Sequence, residues 1–159
     1  MYQIRKAEFA DLEQILKIYA CARDFMARSG NPNQWGKTDP PREILEADIR
    51  RGNLYVLEDG GIHGVFAYLE EPDPTYGLIE DGRWLDDSPY GTIHRVAADG
   101  SGGVFSAVLG YAVSRKPHVR IDTHHDNRPM RHILEKNGFQ RCGIIFLENG
   151  DPRIAYEKV

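Results

Sequence analysis

The chain has 159 residues, 41% of them apolar, which is one domain's worth of sequence and enough to build a core without disulfides or metals. A formal net charge of -4 and a pI near 5.9 exclude a general nucleic-acid binder, since phosphate backbones need a basic face, and leave open only a local basic patch. No apolar run approaches the ~20 residues of a membrane span, and residues 1–6 lack the basic-then-apolar pattern of a signal peptide, so no membrane association and a cytoplasmic location are expected.

Residues 2–5 read as a short strand. Leu12, Ile15, Leu16, Tyr19, Ala22 and Met26 recur at helical spacing and predict a helix over 10–28, ended by Ser29-Gly30-Asn31-Pro32-Asn33. Asp39 before Pro40 and Pro41 reads as the start of a second helix, with Asp as cap and proline in the first turn. Ile44, Leu45 and Ile49 are its expected buried side and Gly52 its stop. Residues 54–58 and 62–70 are strands joined by Asp59-Gly60-Gly61, a hairpin signal. Residues 71–89, rich in proline, glycine and acids, read as a long surface loop.

A strand over 92–97 leads to the turn Asp99-Gly100-Ser101-Gly102-Gly103. The helix after it should bury Val104, Phe105, Val108, Leu109 and Ala112 and end at Pro117. Residues 119–123 form a short strand. A further helix runs from 127–129 to Asn137, with Gly138 as a left-handed stop. Residues 139–147 and 153–158 are strands around the tight turn Asn149-Gly150. The order β-α-α-β-β-β-α-β-α-β-β mixes hairpins with crossovers, which implies an α/β (α+β) fold with a mixed sheet and helices on both faces. Cys21 and Cys142 are the only cysteines, lie outside any metal-type spacing, and are expected to be reduced and mostly buried.

Two stretches stand out within this order. One is Arg95-Val96-Ala97-Ala98-Asp99-Gly100-Ser101-Gly102-Gly103-Val104. The other is Asn127-Arg128-Pro129-Met130 followed by Leu134-Glu135-Lys136-Asn137-Gly138-Phe139. Together with the element order they resemble the GNAT superfamily of acyl-CoA-dependent N-acyltransferases over almost the whole chain. The first resembles the family's strand, glycine-rich turn and helix start; the second resembles its Asn-led helix ending in Gly-Phe. The resemblance implies a single domain over 1–159 with a mostly antiparallel sheet. It also implies transfer of an acetyl group from acetyl-CoA to a primary amine of a small molecule or peptide, by direct attack. It leaves a homodimer open.

Physical chemistry explains the first stretch. A strand passing through glycines into a helix presents amides without intrahelical acceptors, where the helix dipole favours negative charge. The coenzyme A pyrophosphate fits such a place, and glycines let it come close. The expected contacts are Val96, Ala97 and Ala98 on the strand, Gly100, Ser101, Gly102 and Gly103 in the turn, and Val104 and Phe105 at the helix start. Alternatively, the glycines only make a tight turn. By the resemblance, Asn127 and Met130 hold the pantetheine arm; Asn127 is equally an ordinary helix cap, and both can hold at once.

Two positions depart from the family. Where it usually has Arg or Gln before the first glycine of the phosphate loop, this chain has Ala98-Asp99-Gly100-Ser101. An inward Asp99 would repel pyrophosphate, so it is expected to face solvent. Many members carry a Tyr four residues before the Gly-Phe pair, poised to protonate the leaving thiolate; here the position is Leu134. Either water or another group supplies that proton, or the protein is a non-catalytic acyl-CoA-binding sensor or interaction domain.

The resemblance places the thioester near Val96, whose backbone amide would polarise its carbonyl. Histidine side chains titrate near neutral pH, which makes His94 a candidate general base. Strand alternation puts His94 on the face of Val96, either toward the cleft or toward core or solvent. The implied bulge or splay is needed to open a gap for it. Gln34 and Trp35 lie in the segment that lines the acceptor pocket in the family. Tyr76 and Trp84 either anchor the long loop or join Glu70 and Glu71 in an acidic, aromatic-walled site for a cationic amine. In Asp122-Thr123-His124-His125-Asp126 alternation lets only two ligands converge, and no metal site is expected.

Overall fold

A computed structural model describes all 159 residues. The elements are β1 (Gln3–Lys6), α1 (Leu12–Arg28), α2 (Arg42–Arg51), β2 (Leu54–Glu58), β3 (Ile62–Leu69) and β4 (Gly91–Ala98). They continue with α3 (Val104–Arg115), β5 (Val119–Thr123), α4 (Arg128–Lys136), β6 (Gln140–Phe146) and β7 (Pro152–Lys158). This is the expected order. The seven strands run β1-β2-β3-β4-β5-β7-β6 in one mixed sheet. β4 and β5 pair in parallel, while the pairs β1/β2, β2/β3, β5/β7 and β6/β7 are antiparallel. No helix is long and apolar enough to cross a membrane.

The chain forms two compact units, one of Met1–Tyr68 with His94–Gly110 and one of Leu69–Ile93 with Tyr111–Val159. In the first, α1 buries Leu12, Ile15, Tyr19 and Ala22 of the expected stripe together with Ile18, with Leu16 and Met26 only half-buried, while Leu54, Val56, Leu57, Val65, Phe66 and Ala67 fill the interior from β2 and β3. Each large side chain removed from water contributes roughly 1.5–3 kcal/mol before the cost of ordering it. Gly64 on β3 lies under the start of α3: a Cβ there would sit 2.7 Å from Val104 Cγ1 and 3.4 Å from the Ala97 carbonyl oxygen. Only glycine permits that approach.

Four expectations are corrected in this unit. Pro41, not Asp39, holds the cap position of α2, and no side chain caps it. Ile44 is exposed, because the buried stripe of α2 is Leu45, Asp48 and Ile49, at helical spacing, and residue 44 lies about 100° away from residue 45. Phe105 is only half-buried, and Cys21, two positions from Tyr19 on α1, is exposed.

In the second unit Val119, Ile121, Leu134, Phe139, Ile145, Ile154 and Tyr156 form the interior. The segment between β3 and β4 is fastened rather than loose. Tyr76 is buried with Ile145 and Ala155, and the backbones of Glu80 and Ile144 exchange hydrogen bonds at 2.9 and 2.7 Å. Arg120 of β5 lies between the rings of Trp84 and Tyr90, 4.0 and 4.1 Å from their centroids. Its Nε donates to Glu157 Oε2 at 2.7 Å, and the same carboxylate meets His118 Nε2 and accepts from the Leu85 amide. Glu157 is fully buried, so its charge is supportable only with these partners in place.

Candidate active site

β4 departs from regular strand geometry at one residue. Arg95 has φ 53, in the left-handed region; His94 and Arg95 are half-buried, between the buried runs 91–93 and 96–97. A left-handed residue thus interrupts regular strand geometry beside Val96, where the resemblance implies a bulge or splay. The Tyr19 hydroxyl donates to the Arg95 carbonyl at 2.6 Å. The Arg95 guanidinium donates to Asp48 Oδ2 from Nε at 2.9 Å and from the terminal nitrogen at 2.8 Å. Val96 and Ala97 bury their side chains. His94 and Val96 no longer follow simple alternation, since Arg95 interrupts it.

The turn after β4 shows how an acidic residue sits beside a prospective anion site. Asp99 is half-exposed, and its carboxylate is also bonded within the turn. Its Oδ2 lies 2.8 Å from His63 Nδ1, its Oδ1 accepts from the Ser101 amide at 2.9 Å, and its own amide donates to the His63 carbonyl at 3.0 Å. Burial alone would push this carboxyl up, but the bonds from Ser101 and His63 outweigh it and hold Asp99 below the usual carboxylate range. The same bond to Asp99, with help from the Asp59 carbonyl, raises the His63 pKa. Since Asp99 occupies the Ser101 amide, the expected contact at Ser101 loses its main-chain donor. The amides of Gly103, Val104, Phe105 and Ser106 open α3 and have no intrahelical acceptor, since the first such bond runs from the Ala107 amide to the Gly103 carbonyl.

Gly100 and Gly103 have φ 98 and 80, which side chains resist. Gly102 has an ordinary φ, and a Cβ added there would find nothing within 4 Å. The Tyr2 hydroxyl donates to the Gly102 carbonyl at 2.7 Å and steadies the turn. An open cradle of glycine backbone, with its one acid turned to a histidine, fits a pyrophosphate. Between α1 and α2, Gln34 and Trp35 are half-buried. Gln34 accepts from Asn31 Nδ2 at 2.9 Å, and the Trp35 ring meets the edge of Tyr19 with centroids 5.5 Å apart.

No family model and no curated protein matches the sequence. Among solved structures, a GNAT-family acetyltransferase from Streptococcus agalactiae shares 34% identity over 99% of this chain and 95% of that one, with a TM-score of 0.89. The chain belongs to the GNAT family. Two further structures share the fold. A GNAT-family acetyltransferase from Listeria monocytogenes has 19% identity, coverage of 99% and 94%, and a TM-score of 0.72. A GNAT superfamily phosphinothricin acetyltransferase from Sinorhizobium meliloti, in complex with AcCoA, has 15% identity, coverage of 99% and 87%, and a TM-score of 0.64.

The second unit of this GNAT chain carries the remaining expected residues. Asn127 Oδ1 accepts from the Met130 amide at 3.2 Å, so it caps α4, and Met130 is buried. Leu134 is buried completely. Glu70 and Glu71 are exposed. Tyr76 and Trp84 do not line an open aromatic wall: Tyr76 is a core residue that donates to Asp122 Oδ2 at 2.7 Å, and Trp84 lies tilted against Tyr76 and under the Arg120 cation. Of the two readings offered for those rings, the loop anchor is the one observed. Three ligand-type atoms of His124, His125 and Asp126 lie within 4.8 Å of one another, which corrects the expectation that only two converge. His124 Nδ1 already accepts from the Asp126 amide. Burial first, then the Arg153 cation, lower the His124 pKa, and that cation also opposes a second positive charge.

The residues missed by reading the sequence are Tyr19, Asp48, Arg95 and His63. Asp48 left a signal, being an acid on the apolar stripe of α2; the others gain meaning only from partners distant in sequence.

Proposed function

We propose that this GNAT chain, as one domain over 1–159, is an N-acetyltransferase that moves an acetyl group from acetyl-CoA to a primary amine. The observation that carries the reading is the β4–turn–α3 unit of a family member: a strand with a left-handed residue at Arg95, then an open glycine turn at a helix start. Acetyl-CoA supplies the thioester: the amine nitrogen bonds to the acetyl carbon, the carbon–sulfur bond breaks, and coenzyme A leaves as a thiol with one proton. In this reading the Val96 amide polarises the carbonyl. Ala98, Gly100, Gly102, Gly103, Val104 and Phe105 hold the pyrophosphate, with Asn127 and Met130 toward the pantetheine arm. Ser101 contributes its hydroxyl rather than its amide. His94 is the candidate base. Gln34 and Trp35 in the first unit, and Glu70 and Glu71 in the second, are candidates for the acceptor amine. Two unpaired cysteines accord with a cytoplasmic location.

The second reading, an acyl-CoA binder without transfer, rests on Leu134, a fully buried side chain that cannot donate a proton where many relatives have Tyr. One assay separates the two: thiol release from acetyl-CoA with polyamines, amino acids and peptide N-termini as acceptors. Turnover supports the enzyme. Thermal stabilisation by coenzyme A with no thiol release from any acceptor supports the binder.

A further inference from the structure

A left-handed residue other than glycine inside a strand costs of order 1–3 kcal/mol and persists only where its surroundings hold it. Arg95 is such a residue, and two buried groups from different helices hold it. Tyr19 of α1 is fully buried, and burial pushes its hydroxyl pKa well above the ordinary value, so it acts as a neutral donor to the Arg95 carbonyl. Asp48 of α2 is 4% exposed and takes two bonds from the Arg95 guanidinium. Each would leave a buried polar group unsatisfied if Arg95 turned away.

The carbonyl that Tyr19 grips belongs to the same planar unit as the Val96 N–H. A trans peptide points the two in opposite directions, so fixing the oxygen fixes the hydrogen. A hydroxyl donating to the carbonyl also polarises that peptide and makes its N–H a stronger donor. We infer that Tyr19 and Asp48 are positioning residues for acyl transfer, holding the Arg95–Val96 peptide so that the Val96 N–H is aimed at the thioester carbonyl. The inference rests on the acetyltransferase reading above. Tyr19 also touches Trp35, so the group that orients the donor packs against the segment assigned to the acceptor.

The test compares Tyr19→Phe, Asp48→Asn and the double variant Asp48→Asn/Arg95→Gly with the wild type. Turnover is measured with acetyl-CoA and the amine panel, coenzyme A affinity by calorimetry, and the Val96 amide by nuclear magnetic resonance. Both single variants should lower kcat about ten- to a hundredfold, the scale of a misplaced reacting group. Coenzyme A affinity should hold, since the pyrophosphate turn is untouched, while the Val96 amide resonance moves. Adding Arg95→Gly to Asp48→Asn should recover most of the loss, because glycine adopts the left-handed conformation without a pin. Folded single variants with wild-type kcat overturn the inference, as does a double variant no faster than Asp48→Asn. Should the single variants fail to fold, Arg95→Asn against Arg95→Val decides: Asn tolerates this conformation and Val does not, and equal turnover overturns the inference. A wild-type protein that transfers acetyl to none of the panel removes the acetyltransferase reading and this inference with it, and that result is seen before any variant is made.

Discussion

Replacing Gly102 by Asp puts a carboxylate into the cradle proposed for the pyrophosphate without a structural reason to unfold the turn. Gly102 has an ordinary φ, a Cβ there meets nothing within 4 Å, and the turn is still tied down through the bond from Tyr2 to the Gly102 carbonyl. A carboxylate about 5 Å from one phosphate charge costs about 3 kcal/mol at an effective dielectric of ~20 and under about 1 kcal/mol in bulk water. Gly102 is exposed, which places the expected loss between these limits, at about 1–2 kcal/mol. That is roughly a five- to thirtyfold weaker coenzyme A affinity. Calorimetric titration measures it, with Gly102→Asn as the uncharged control of the same shape. The Asp-specific part should shrink in high salt, and melting temperature should stay near that of the wild type. Unchanged affinity in Gly102→Asp would falsify the assignment of the turn. Equal losses in Asp and Asn would show that shape rather than charge is responsible.

Other outcomes follow from particular contacts. His63 should titrate above the ordinary histidine value of about 6.5, and Asp99→Asn should bring it back down, as read by its ring resonances. Because the folded pKa is raised, the stabilisation from the His63–Asp99 pair is complete below the free-histidine value and is lost as pH rises through the folded one; the melting-temperature gap between wild type and His63→Gln should narrow in that direction. Glu157→Gln leaves buried Arg120 without its counter-charge and should cost about 3–5 kcal/mol in chemical denaturation; a loss under 1 kcal/mol would mean the pair is solvated. Leu134→Tyr asks a fully packed site for more volume, so it should destabilise by about 1–3 kcal/mol without a gain in turnover. If His94 is the base, His94→Gln should remove the ascending limb of the kcat/KM pH profile and lower the rate about 10² to 10⁴-fold; an unchanged profile makes His94 structural.

The order of elements was legible because it depends on local signals that the chain carries with it. The stripe on α1 follows from 3.6-residue spacing, the β2–β3 hairpin from Asp59-Gly60-Gly61, and the end of α4 from Gly138, and each of these appears in the fold. The glycine turn and the Asn127 cap were readable for the same reason, since backbone freedom and a short side-chain bond operate within a few residues. What tertiary structure decided was the fate of polar groups whose partners are far away in sequence. Asp99 lies 36 positions from His63 and pairs with it while remaining partly exposed. Trp84 and Tyr76 are exposed candidates by sequence, yet Arg120 and the interior around Ile145 claim them. Tyr19 and Asp48, 76 and 47 positions away, hold the otherwise unfavourable left-handed backbone of Arg95 in place. Periodicity reports which face of a helix is buried. It carries no information on which buried hydroxyl or carboxylate will find a strand's carbonyl or guanidinium, because that depends on how the elements pack.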